Sequence, residues 1–150
     1  MAIVKQVAGT RTALTVTGFS TLATLNYVAS AVKDNTANQP IDVMVEVTVA
    51  TTNTPAGNQQ ILVFAQASYD NTVFQSGPTS GTTTTDEPLL TFLGVVPLQL
   101  TATTEVKAFS VAAAYAGNLP PYFKIVLKND TTVSLTTGSV NTIEISATVV

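Results

Sequence analysis

From Ile41 to Val49 apolar and polar residues alternate without a break. Ile41, Val43, Val45, Val47 and Val49 fall on one side, and Asp42, Met44, Glu46 and Thr48 on the other. Side chains of a strand point to opposite faces in turn, so this pattern puts one face in a core and leaves the other wet. Such a strand needs neighbours. Ile61 to Ser68 is the next apolar run. There Ile61, Val63, Ala65 and Ala67 oppose Leu62 and Phe64, which predicts a central strand covered on both faces. Thr51 to Asn58 is rich in turn formers and predicts an antiparallel hairpin joining these two strands.

Shorter segments of the same character flank this pair. Thr12 to Thr17 alternates and ends at Gly18. Leu22 to Val32 reads as a strand followed by the polar loop Lys33 to Pro40. A helix over Ser20 to Val32 is the alternative, since Leu22, Leu25, Val28 and Val32 also fit helical spacing; Asn26, Tyr27 and the lack of charge favour the strand. Leu90 to Leu100 holds Gly94 and Pro97, and a proline that cannot donate to a ladder belongs at an edge or a bulge. Val106 to Val111 continues as a strand, Ala112 to Gly117 suits one helical turn closed by glycine, and Asn118 to Pro121 forces an extended crossing. Tyr122 to Leu127 turns Phe123, Ile125 and Leu127 inward and Lys124 and Lys128 outward. A turn at Asn129-Asp130, a short strand over Val133 to Leu135 and a turn at Thr137-Gly138 lead to the last strand. In it Ile143, Ile145, Ala147 and Val149 are the expected buried face.

The expectation is therefore all-β: a two-sheet antiparallel β-sandwich with jelly-roll strand order, a single domain over residues 12–150 preceded by an arm over residues 1–11. Composition agrees. Charged residues are only 10% of the chain, and threonine, which suits strand faces that meet water, fills the deficit. A surface poor in charge also suits a protein that meets other proteins over much of its area.

Between Phe74 and Leu89 runs a long polar stretch, Gln75 to Pro88, with the Thr82 to Thr85 run at its centre. It follows the Asp70-Asn71 turn, cannot bury itself, and belongs on the surface as a presenting or binding loop. The arm offers two readings, an ordered or frayed edge strand and a segment laid on a neighbouring subunit, with Gly9 as the pivot.

Several function classes fare badly. With neither histidine nor cysteine there is no Ser-His or Cys-His pair, no disulfide and no thiolate metal site. Six basic residues against nine acidic, the basic ones scattered, give no electrostatic footprint for nucleic acid. The first residues lack the continuous apolar core of a signal peptide, and no apolar run is long enough to span a membrane. Asp70, Asp86, Glu87 and Asp130 could serve as paired carboxylates or as hard oxygen ligands for calcium. Loop carboxylates, however, are more often solvated turn residues, so no enzyme activity and no cofactor are expected. Tyr69, Phe74, Phe92, Tyr115, Tyr122 and Phe123 could form a sugar-stacking platform, although filling the sandwich core is the favoured reading.

The segments Ala67 to Phe74, Ser80 to Pro88 and Ala113 to Asn129 resemble those of small virion structural proteins of tailed bacteriophages, above all the capsid decoration, or cement, proteins. That resemblance covers the middle and later part of the chain and rests on turn and strand elements. It implies a homotrimer on the outer capsid surface that clamps neighbouring capsomers of major capsid protein, made in the host cytoplasm during assembly. It also implies contact sites: Ile3, Val4, Lys5 and Arg11 in the arm against the shell or a neighbouring protomer, and Thr82, Thr83, Asp86 and Glu87 in the loop against a partner. The rival class is a carbohydrate-binding or tail- or fibre-associated virion module.

Overall fold

The structure is a computed structural model that describes residues 3–51, 59–98 and 103–150. In chain order its strands are β1 (Val4–Ala8), β2 (Thr12–Leu14), β3 (Tyr27–Ala29), β4 (Lys33–Asp34), β5 (Asp42–Ala50), β6 (Gln59–Ser68), β7 (Ser80–Gly81) and β8 (Thr91–Leu98). They continue as β9 (Glu105–Ser110), β10 (Tyr122–Asp130) and β11 (Thr137–Val149), with the single helical turn α1 (Val111–Ala114) between β9 and β10. The first sheet runs β1-β11-β5-β9, with β2 also on β11. The second runs β7-β3-β10-β6-β8, with β4 also on β10. All described pairings are antiparallel. The protein is an all-β sandwich of two antiparallel sheets.

The core lies between them. Val43, Val45, Val47 and Val49 of β5 face Ile61, Val63 and Ala65 of β6 and Phe123, Ile125 and Leu127 of β10, all inaccessible to solvent. Period two therefore holds as the sequence suggests, except that Ile41 lies just before β5 and is 42% exposed. The β6 strand is central and covered on both sides, between β10 and β8. The expected hairpin between the Ile41 and Ile61 strands does not form. β5 pairs with β11 and β9 in the first sheet, whereas β6 belongs to the second, so the chain changes sheets between them. Two strands buried against each other across a core give the same alternation as two paired side by side, which is why the pattern could not separate the cases.

Other turn signals acted differently from expectation. β10 runs through Asn129-Asp130, and Asn129 is fully buried: its amide donates to Leu22 O at 2.8 Å and Val133 O at 2.9 Å, and its Oδ1 accepts from Thr131 at 2.7 Å. The bend falls at Thr131–Val133 instead, and Val133 to Leu135 is not a strand, although Leu135 reaches the core. Thr137-Gly138 is the beginning of β11, not a turn. Gly138 is required there because an added Cβ would come within 2.8 Å of the Phe19 ring and carbonyl. Leu22 to Val32 contributes only the short β3 after a 3-10 turn at Phe19–Thr21, so neither a long strand nor a helix forms. Pro97 lies on the edge strand β8, and Gly94 marks the bulge where β8 slips against Val63/Phe64. α1, closed by Gly117 at φ 86°, and the crossing to β10 match the sequence reading.

The largest correction concerns β11. Val140 and Thr142 are its buried residues, while Ile143 and Ile145 are half-buried and Ala147 and Val149 exposed. The expected inner row faces outward. Register explains the inversion: Val140 pairs with core-facing Val47, and Ile143 with Met44 on the wet side of β5.

Candidate functional site

β11 is longer than its neighbour. β5 accompanies it only as far as Ile145, and β1 alone pairs with it from Ser146 to Val149. The result is a two-stranded ribbon reaching past the body of the sandwich, with every β1 residue exposed. Ile3 and Val150 exchange hydrogen bonds at 3.0 and 2.9 Å, and Gly9 N donates to Glu144 O at 2.8 Å. Val4 is paired with Val149, and the two are 65% and 68% exposed. With Ala8, Ala147, Ile145, Ile143 and Met44 on the same side, they make a largely apolar stripe along the outer face of the first sheet, crossed by Gln6 opposite Ala147 and by Asp42 opposite Ile145. The sequence placed Ile3, Val4 and Lys5 in a contact arm, and the structure brings all three into this ribbon or to its tip. Arg11 lies apart, its guanidinium paired with the Glu46 carboxylate.

At the base of the ribbon is a cleft of about 340 Å³ lined by Thr10, Thr12, Thr142, Lys33 and Glu144. Lys33 Nζ meets Glu144 Oε1 at 2.5 Å, and Asn38 donates to Oε2 at 2.9 Å. The Lys33 contact, opposed by partial burial and helped by Asn38, holds the Glu144 carboxyl below its ordinary pKa. None of these residues stood out in the sequence. Their polar types in loops and strands carry no spacing signal.

The second candidate region is the loop from Gln75 to Pro88. It is a strap rather than a free display. Gln75 N donates to Ala67 O at 2.9 Å, and its side-chain oxygen accepts from Ala67 N at 2.9 Å and from the Tyr115 hydroxyl at 2.8 Å. Further on, β7 pairs with β3, and Leu90 packs onto Tyr27, Phe64 and Val126 on the outer face of the second sheet. Glu87 accepts from Lys128 Nζ at 2.8 Å and from the Tyr27 hydroxyl. Burial works against both charges, yet each offsets the other's loss of water: Glu87 is lowered and Lys128 raised from their ordinary values. Burial, and then the Glu87 carboxylate, push Tyr27 up. Of the loop residues expected to meet a partner, Thr82, Thr83 and Asp86 are exposed, whereas Glu87 is committed to this internal cluster.

The loop carboxylates do not converge. Asp70 organises its own turn, accepting from Thr72 N and Val73 N at 2.8 Å each; the Thr72 hydroxyl first, and then these backbone bonds, hold it well below the usual carboxylate range. Asp130 ends β10. Among the described residues no three acidic side chains come together. The aromatic residues are divided rather than gathered in the core. Phe123 is buried there and Tyr115 packs against it; Phe74 lies under Lys124, and Phe92 is tilted against Phe64 on the outer face of the second sheet. No described helix is long and apolar enough to cross a membrane.

The fold and these surfaces define a class: a sandwich whose most unusual feature is a projecting, uncovered apolar ribbon. No protein-family model and no curated protein sequence matches the chain.

Proposed function

We propose that this chain is a non-enzymatic structural protein of a phage virion, a decoration protein that binds the outer capsid surface and bridges neighbouring capsomers of major capsid protein. One observation carries the reading: Val4, Ala8, Ala147 and Val149, exposed, and Ile143 and Ile145, half-buried, form one mostly apolar row on the outer face of the first sheet. Contiguous apolar surface left open on a folded chain marks a protein-interaction site. Burying Val4 and Val149 alone would contribute about 1 to 2 kcal/mol each. Contact with two adjacent capsomers from one rigid body would add avidity, and the area so buried would resist their separation.

Strand order supports the reading too. Taken as β2, β3, β5, β6, β8, β9, β10 and β11, the chain distributes between the sheets in the order of a jelly roll, an architecture used by viral capsid proteins and by lectins. Because lectins share it, a carbohydrate-binding or fibre-associated module is the second reading, favoured by Phe92 and Tyr69, which are 54% and 80% exposed.

Co-sedimentation with capsids stripped of their outer proteins tests the proposal. Saturable rebinding is expected, and Val149→Asp should weaken it by on the order of tenfold or more by placing an unpaired charge in the contact. A chain indifferent to capsids overturns the reading, and binding on a glycan array that Phe92→Ala abolishes would replace it with the second.

A further inference from the structure

The edge of the ribbon carries a second message, independent of what its face touches. Ile3 and Val150 form a hydrogen-bonded pair, and Gly9 bonds Glu144, so the pairs between them that exchange bonds are Lys5 with Thr148 and Val7 with Ser146. Val4, Gln6 and Ala8 therefore turn their backbone N–H and C=O groups away from β11. Among the described residues β1 pairs with no other strand. An exposed row of this kind is a template for another strand.

Among the described residues every other edge of the two sheets is blunted. β9 carries Glu105 and Lys107; β8 carries Pro97 and the Gly94 bulge; β7 and β4 are two residues long and β2 three. β1 offers five residues with Lys5 as its single charge. We propose that this edge pairs, antiparallel and about a twofold axis, with the same edge of a second copy of the chain.

The choice of occupant follows from register and charge. Within β1, Val4, Gln6 and Ala8 present the free backbone groups, so a twofold axis centred on the strand passes through Lys5, Gln6 or Val7. An axis at Lys5 sets two ammonium groups directly opposite each other, which is destabilising. An axis at Val7 sets Val4 opposite Thr10, which lies beyond the end of β1. An axis at Gln6 pairs Val4 with Ala8 of the other copy and Gln6 with its own counterpart, so every free N–H and C=O of these residues is satisfied. Lys5 then stands across from Val7. The edge is self-complementary, as a twofold contact requires. Pairing also joins the row of Val4, Ala8, Ile145, Ala147 and Val149 in the two copies on one face, with the two Gln6 side chains at its centre. Twofold pairing gives two copies, where the resemblance to decoration proteins implied three.

The experiment needs only the purified full chain, without capsids, so it stands or falls apart from the shell-binding proposal. Sedimentation velocity from about 10 to about 300 µM spans the range suited to a contact smaller than a standard interface. It should show a species of twice 15.6 kDa. Gln6→Pro removes an outward N–H and leaves the β1–β11 bonds in place, so it should fold with an unchanged circular dichroism spectrum. It should also weaken pairing on the order of a hundredfold through the lost bonds at the axis. The chain has no cysteine. Gln6→Cys should therefore oxidise to a covalent pair, since hydrogen-bonded partners lie within disulfide reach, whereas Val4→Cys, facing Ala8, should not. A single-copy species throughout, a three-copy species, an assembly that Gln6→Pro leaves intact, or equal cross-linking by Val4→Cys would each overturn the proposal.

Discussion

The outer face of the second sheet carries Tyr27, Phe64, Val126 and Leu62, and the strap from Gln75 to Leu90 lies over them, fastened by Leu90 and by the Glu87–Lys128 pair. The outer face of the first sheet carries Met44, Ile143 and Ile145, half-buried, and Ala147 and Val149, exposed, and none of them belongs to a buried cluster. Both faces are apolar, yet only one is closed by its own chain. Apolar surface removed from water stabilises the monomer; the same surface left in water is available to another molecule.

This contrast yields predictions that can break it. Leu90→Ala should cost the most, about 2 to 4 kcal/mol, because it empties the strap's buried anchor; denaturant midpoints measure it. If Ile143→Ala costs as much, the first face is closed after all.

Glu87→Gln should cost about 1 to 3 kcal/mol, less than a fully buried pair because both side chains keep some solvent. Its dependence on pH has a fixed sign. Glu87 has a lowered pKa, so its contribution is complete above the ordinary glutamate value and is lost as pH falls through the folded value. Lys128 has a raised pKa, so its contribution is complete below the ordinary lysine value and is lost as pH rises through the folded one. The difference in stability between wild type and Glu87→Gln should thus be greatest near neutrality and shrink toward both extremes. A difference that stays constant into acid would show that the carboxylate is not what fastens the strap.

Glu144→Gln, at the base of the ribbon, should cost less, about 0.5 to 1 kcal/mol, since Lys33 and Glu144 are both partly solvated. Val149→Thr and Thr82→Ala should each change stability by no more than about 0.5 kcal/mol. They part in capsid co-sedimentation, where Val149→Thr should weaken binding and Thr82→Ala leave it unchanged. Equal effects would move the contact from the stripe to the loop.

How much of this was legible in the sequence differs by region. The strand β5 was, because its alternation is long and uninterrupted, and so were the central place of β6 and the edge position of Pro97. The sequence grouped Ile3, Val4 and Lys5 as an arm, but not their partner, the end of β11, because 145 residues of chain separate Val4 from Val149. Glu87 looked like a free loop carboxylate; its lysine lies 41 residues away. Asn129 looked like a turn residue, and nothing local distinguishes an asparagine that bends the chain from one that holds three neighbours together.

Sequence by itself determined that the chain makes strands rather than helices, and which residues of β5, β6 and β10 meet in a core. Those properties follow from local period and composition. Tertiary structure decided which sheet each strand joins and which of two equally apolar faces turns inward. The alternation of Ile143, Ile145, Ala147 and Val149 is as regular as that of β5, and period two says only that two faces differ. Which one is covered depends on register with Val47 and Met44, on the glycine that admits Phe19, and on a strap long enough to reach the other sheet but not this one.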